Sequence, residues 1–308
     1  MNLGLPYKGS KNTIALDIVE SIPRGGKILD ACCGGGAFLM AAAMSMRWDS
    51  VVGNDLNPAT IKLLDAVLIH KGQIEYEHPP VCTRDDFFHS LQRIANGDFD
   101  VQDCVNKYCA SFGNDGKTYL YGADIENVKT TAERMLSADN LEQRRVNYRK
   151  FIGFLLGDSS DERILRLQNL QQLNQLERLQ RLERLERLER LERLERLDIF
   201  EIDYSEFDVV YFDIPYRGTN KYDFEFDYDG FYDMFKNLGK PAFLSEYDAP
   251  FDVVAQFDKA QNMSASVGST GKKEGIEKLY FNGTMDEYKR LMGREYKPIE
   301  NDAQLSLF

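Results

Sequence analysis

An α/β fold with a largely parallel sheet and an inserted helical region is predicted by three observations. Val209-Val210-Tyr211-Phe212 is short, β-branched and aromatic, and it stops abruptly at Asp213-Ile214-Pro215-Tyr216. Such a run suits a strand buried on both faces of a parallel sheet, and Pro215 ends its ladder pairing. Lys27-Ile28-Leu29-Asp30 reads as a second strand, passing through Gly34-Gly35-Gly36 into the helix formers Ala37 to Met44. Residues 71–160, by contrast, lack strand–helix rhythm and carry polar helical segments. Chemistry in such sheets sits past the carboxyl ends of the strands, so Asp213 marks a candidate site.

Taken in order, Pro6-Tyr7-Lys8-Gly9-Ser10-Lys11 is a loop capping a helix with apolar positions Ile14, Ile18, Val19 and Ile22. Lys11 there either faces an anion or stays solvated. The three glycines let backbone approach a ligand closely, and the helix they open offers unpaired N–H donors. A plain tight turn is the alternative. Ser50-Val51-Val52-Gly53-Asn54 is the next strand, and Asp55 follows the glycines by about twenty residues, the distance at which an acid accepts hydrogen bonds from ribose hydroxyls. Asn57-Pro58 then starts a helix through Ile61, Leu64, Leu68 and Ile69.

The 308 residues are 43% hydrophobic, enough for a large core and a second, smaller domain. A formal charge of -12 argues against a general nucleic-acid binder, although Arg144, Arg145, Arg149 and Lys150 form a local basic cluster. Five cysteines without a C-x-x-C pair, and no signal-like N-terminus, point to a reducing cytoplasm. A zinc site from His78, Cys82, Cys104 and Cys109 matches no common ligand spacing, and no metal is expected.

Four motifs now stand in order: Pro6-Tyr7-x-Gly9-Ser10-Lys11, Asp30-x-x-x-Gly34-Gly35-Gly36-Ala37, Asn54-Asp55-x-Asn57-Pro58 and Asp213-Ile214-Pro215-Tyr216. Together they resemble the motifs of the Dam-like (D12 class) N6-adenine DNA methyltransferases. The resemblance covers residues 1–70 and 198–281, and more loosely the region between. It implies a Rossmann-like S-adenosylmethionine-dependent methyltransferase sheet with an inserted, mainly helical target-recognition domain. The expected organisation is a catalytic domain over 1–70 and 198–295, a target-recognition region over 71–160, a leucine-triplet insertion over 161–197 and a tail over 296–308.

The same resemblance implies the site. Tyr7, Lys11, Asp30, Gly34, Gly36, Asp55, Asp203 and Asp213 are the expected cofactor-binding residues, Asp203 from a strand over Asp198 to Tyr204. Asp213, Ile214, Pro215 and Tyr216 are the expected catalytic corner. The exocyclic amine of adenine is a poor nucleophile, because its lone pair is delocalised into the ring. Acceptors at the Asp213 carboxylate and the Ile214 carbonyl would hold both amine hydrogens and favour a tetrahedral nitrogen. Tyr216 would stack on the base, with the Gly218-Thr219-Asn220 loop and Tyr222 enclosing it, and a base inside a duplex must flip out to get there. The family usually has proline where this chain has Ile214, which leaves the carbonyl in place and the loop less rigid. Cytosine-N4 or RNA methylation, and a silent DNA-binding relative, are the rival readings.

In the inserted region Asn114-Asp115-Gly116, between Lys107-Tyr108 and Lys117-Thr118-Tyr119, suggests a hairpin. Lys117, Arg144, Arg145, Arg149 and Lys150 are expected to contact DNA. From Leu167 to Leu197 a leucine recurs at every third residue, later as Leu-Glu-Arg, which belongs to no motif of the family. On an α-helix successive leucines drift back by roughly 60°, so a long helix gains no single apolar face. A 3₁₀-helix aligns them but stacks like charges. α-helix, 3₁₀-helix and a solenoid-like stack stay open, and a spacer that can be deleted over 167–196 without loss of cofactor binding is expected. Phe243 to Glu246 and Lys278 to Phe281 read as the remaining strands. The tail ends in Gln304-Leu305-Ser306-Leu307-Phe308, which resembles the peptide by which proteins bind the bacterial sliding clamp; Gln304, Leu305, Leu307 and Phe308 would be its anchors. Docking of the tail on its own domain is the alternative.

Overall fold

The computed structural model describes residues 3–70, 81–156, 174–183, 188–217, 226–258 and 276–293. In chain order the elements are α1 (Ala15–Glu20), β1 (Gly25–Asp30), α2 (Ala37–Met44), β2 (Trp48–Asn54), α3 (Pro58–Leu64, continued as a π-helical turn over Asp65–Ile69), α4 (Arg84–Asn96), α5 (Val101–Cys109), α6 (Glu126–Leu136), α7 (Leu141–Leu156) and α8 (Asn174–Glu183). They continue as β3 (Leu191–Glu195), β4 (Val209–Phe212), α9 (Tyr228–Lys236), β5 (Ala242–Glu246), β6 (Asp252–Asp258), β7 (Ile276–Phe281) and α10 (Met285–Met292). The chain forms two compact units, one from Met1–Gly4, Lys11–Pro58 and Leu188–Phe308, the other from Leu5–Ser10 and Ala59–Arg187.

The first unit is built on a mixed sheet with strand order β3-β2-β1-β4-β5-β7-β6. Neighbours from β3 to β5 are parallel, and β7 joins β5 and β6 antiparallel. Strand order reverses between β1 and β4, so their carboxyl ends open the crevice where α/β sheets bind ligands. Register puts Asp30 beside Tyr211, two residues before Asp213. β4 is buried throughout, as a strand covered on both faces must be. Ile28, Leu29, Val51, Val52, Val210 and Phe212 form the core of the sheet. Every residue of α2 from Ala37 to Ala43 is also buried, consistent with its being apolar all round.

The repeat corrects two expectations. The strand expected over Asp198 to Tyr204 is absent; the segment leads into a 3₁₀ turn at Tyr204–Glu206, and the edge strand is β3, made of the repeat's own Leu-Glu-Arg-Leu-Glu. The ladder on β2 shifts register between Val51 and Val52, so Leu191 pairs with Val51 and Leu194 with Gly53, two positions that share a face. Leu191 is buried, and the Leu194 side chain lies against Gly53, where an added Cβ would come within 2.7 Å of it. The polar positions between are satisfied by Lys27, which lies 2.9 Å from Glu192, and by Arg193, which bonds Glu192, Glu195 and Glu206. Buried Asn54 ties the strand ends together, its amide accepting from the Leu197 N–H at 2.8 Å and donating to the carbonyls of Ala31 and Leu197.

The repeat's upstream part is α8, in the second unit. Only ten residues long, it carries Leu176, Leu179 and Leu182, whose summed drift of about 120° still fits one apolar stripe. Leu179 and Leu182 are buried. Glu133, fully buried, accepts from the N–H groups of Gln175 and Leu176 at the start of α8, and the buried Gln175 amide bonds both the N–H and the carbonyl of Cys82. The leucine triplets thus serve as a helix in one unit and a strand in the other. The remaining repeat residues, 167–173 and 184–187, lie outside the described residues.

Elsewhere in the second unit, α4 and α5 begin with reciprocal capping boxes, Thr83 with Asp86 and Asp100 with Asp103. The expected hairpin reduces to one antiparallel bridge, Ser111 to Tyr119, around a 3₁₀ turn at Phe112–Asn114. Local side chains take the bonds a ladder needs: Asp115 accepts from the N–H groups of Lys117 and Thr118, and Ser111 Oγ from that of Gly116. Cys82, Cys104 and Cys109 are buried free thiols, that of Cys104 pushed up to about 12 mainly by burial, and His78 lies outside the described residues. Among the described residues no helix is long and apolar enough to cross a membrane.

Candidate active site

The site assembles at the carboxyl ends of β1 and β4. Asp30, the last residue of β1, is 1% exposed, and neither of its oxygens makes a hydrogen bond of normal geometry. Burial holds its carboxyl well above the ordinary value, and the nearby charges of Asp213 and Asp55 add to this; the Cys32 N–H and Lys11 relieve it only in part. After Asp30 the chain turns through Gly34 (φ 47°) and Gly36 (φ 75°), left-handed conformations that suit glycine, into α2. Asp55 braces this turn, accepting from the Gly34 N–H at 2.8 Å through one oxygen and from the Asn57 N–H at 2.8 Å through the other. Gly4 closes it from behind: a Cβ there would stand 2.3 Å from the Gly35 carbonyl oxygen.

Asp213 leaves β4 into the second half of the site. Lys11 Nζ lies 2.6 Å from each of its carboxylate oxygens and 3.2 Å from Glu277 Oε1. Lys11 is only 4% exposed, so of the two sequence readings the anion-facing one holds. Burial lowers its proton affinity, but Asp213 and Glu277 outweigh that and raise its pKa. Tyr216 donates to Glu277 Oε1 at 2.5 Å, with its ring under Lys11, 4.8 Å from Nζ to the centroid. Pro215 gives its carbonyl to the Tyr228 hydroxyl at 3.0 Å.

Ile214, in the position the family gives to proline, is 2% exposed and packs among Phe212, Phe231 and Leu244. A buried side chain thus holds the corner where ring rigidity would otherwise do so. Ile214→Ala is expected to cost about 2–5 kcal/mol, measured by denaturant unfolding; a loss below about 1 kcal/mol would show that the side chain is not an anchor. Glu246, at the end of β5, accepts from the N–H groups of Arg217 and Tyr247, which pins the chain just past the corner. Burial pushes its carboxyl up to about 7 against those two bonds, with Asp213 adding to the rise.

A sequence model of the D12 class N6 adenine-specific DNA methyltransferases matches residues 7–280. The chain belongs to that family. Its members methylate adenine in DNA and generally use S-adenosylmethionine. No curated protein matches the sequence. For this methyltransferase the structure brings together Lys11, Asp30, Gly34, Gly36, Asp55, Asp213 and Tyr216 in the first unit. It does not bring Asp203 to them: that side chain is exposed and caps its own 3₁₀ turn, accepting from the Ser205 N–H at 2.9 Å. The Ser205 N–H and hydroxyl hold its carboxyl below the ordinary value. Tyr7 groups with the second unit, its ring 5.9 Å from that of Tyr108. Lys117 is exposed, as are Arg144, Arg145, Arg149 and Lys150 on α7. Gly218, Thr219, Asn220, Tyr222 and the terminal Gln304, Leu305, Leu307 and Phe308 lie outside the described residues.

Sequence reasoning missed Glu277 and Glu246. The signal for Glu277 is parity: on β7 it shares a face with Leu279 and Phe281, all buried, so an acid stands in phase with the core.

Proposed function

We propose that the Asp213 corner transfers the methyl group of S-adenosylmethionine to N6 of an adenine flipped out of DNA. The observation that carries this reading is the meeting of Asp30 and Asp213 past adjacent parallel strands, with the Lys11 ammonium set against two carboxylates, Asp213 and Glu277. The gathered carboxylates of Asp30, Asp55 and Asp213 suit a cationic cofactor. When bound, S-adenosylmethionine supplies an electrophilic methyl group on a positively charged sulfur. Asp30, buried and short of donors, is suited to the cofactor's ammonium group; the backbone at Gly34 and Gly36 lets the ligand approach closely; Asp55, oriented by the Gly34 and Asn57 N–H groups, is the proposed acceptor for the ribose hydroxyls. Asp203 is not needed in this reading.

Lys11 holds both oxygens of Asp213, whose side chain is about one-fifth exposed, and Asp213 is the proposed acceptor of an amine hydrogen with Lys11 in place. The Ile214 carbonyl is the second acceptor and Tyr216 the stacking face. Extrusion of the base costs a few kcal/mol. The exposed cations of α7 and Lys117 are suited to phosphates. Binding of the tail to a sliding clamp rests on its sequence alone.

Labelled methyl is expected on adenine N6 of unmethylated DNA; label on cytosine, or none on DNA of varied sequence, overturns the reading. The charge of Asp30 gives a second test. Its folded-state pKa is raised, so ionisation costs stability as pH rises above the ordinary carboxylate range, and the cost is withdrawn on acidification. Asp30→Asn is therefore expected to raise the melting temperature at pH 7 without cofactor, yet to weaken cofactor binding at least about tenfold. An Asn variant that binds the cofactor as well as the natural chain removes Asp30 from the site.

A further inference from the structure

We propose that Glu277 is a positioning residue for methyl transfer, holding the Tyr216 ring by its hydroxyl and setting a second carboxylate against the Lys11 ammonium that binds Asp213. The inference rests on the reading of the Asp213 corner as the transfer site. Glu277 reaches that corner from β7, on the far side of β5, and its side chain has no exposed surface. One oxygen, Oε1, makes both contacts, 2.5 Å to the Tyr216 hydroxyl and 3.2 Å to Lys11 Nζ.

Two consequences follow from this geometry. A ring tethered at its hydroxyl keeps one face in place, so a base stacked on it meets a surface already ordered. The second consequence is electrostatic. A lone Lys11–Asp213 pair would be neutral and would blunt the carboxylate as an acceptor. Glu277 sets a second carboxylate against the same ammonium, which weakens the neutralisation of Asp213 by Lys11, so Asp213 can still polarise an amine hydrogen. A Gln in place of Glu277 keeps the hydrogen bond to Tyr216 and loses the charge; a Phe in place of Tyr216 keeps the ring and loses the tether. The two variants separate the effects.

The experiment measures single-turnover methyl transfer at saturating DNA and cofactor for the natural protein, Glu277→Gln and Tyr216→Phe, with cofactor affinity and melting temperature alongside. Each variant is expected to transfer at least about tenfold more slowly, with cofactor affinity within about threefold of natural. Should Glu277→Gln fail to fold, Tyr216→Phe still tests the tether. Natural rates in the folded variants, or a rate loss matched by an equal loss of cofactor affinity, overturn the role of Glu277 and leave the transfer reading intact. A natural protein that transfers no methyl overturns the reading itself, and Glu277's role with it.

Discussion

Asp213→Asn will transfer methyl about 10²–10³-fold more slowly than the natural protein, and Asp213→Ala more slowly still. The Asn side chain keeps the volume and one acceptor oxygen but loses the charge, and removal of a single preorganised electrostatic partner typically costs that much. Stability has to be followed at the same time. Lys11 is buried against two carboxylates, and taking away one partner of a buried pair costs about 3–5 kcal/mol where nothing replaces it. Glu277 remains beside the ammonium, and the Asp213 side chain is about one-fifth exposed, so the real cost should fall below that range. Single-turnover rates compared with melting temperatures separate the two effects. An Asn variant that is folded and transfers at the natural rate would remove Asp213 from the chemistry.

Most of the sheet was legible in the sequence because each strand and turn carries a local physical signature. The β-branched run at 209–212, the glycines before α2 and the acid after β2 all follow from local rules, and each sits where those rules place it. What was not legible depends on partners distant in sequence. Lys11 stays open between an anion-facing and a solvated lysine until Asp213 and Glu277, more than 200 residues away, close around it. Asp203 reads as a ligand by analogy, but the Ser205 N–H two residues away takes its carboxylate, as local Asx bonding often does. β6 was not read at all. The triplet repeat misled because its periodicity was judged over its whole length. Cut into a ten-residue helix and a five-residue strand, a period of three fits both.

That division predicts a large effect from removing the repeat. Deleting residues 167–196 takes away α8 and β3 together, and the protein is expected to unfold or aggregate and to lose cofactor binding, contrary to the tolerance a spacer would show. In the first unit the loss includes the burial of Leu191, about 1.5–3 kcal/mol for a fully buried leucine, the contact of Leu194 with Gly53 and the ladder on β2. In the second unit Glu133 loses two N–H donors, and hydrogen bonds to a charged group are worth about 1.5–3 kcal/mol each. Together these rival the roughly 5–15 kcal/mol that hold a domain folded. Removing one triplet, Leu185-Glu186-Arg187, makes the control. It spares the sequences of both elements, and the pentapeptide Leu-Glu-Arg-Leu-Glu of β3 also occurs upstream at 182–186, 185–189 and 188–192, so a shift by one triplet presents β2 with identical side chains. That variant should melt within a few degrees of the natural protein and bind cofactor. A folded, cofactor-binding protein lacking all of 167–196 would show that the repeat's helix and strand are dispensable.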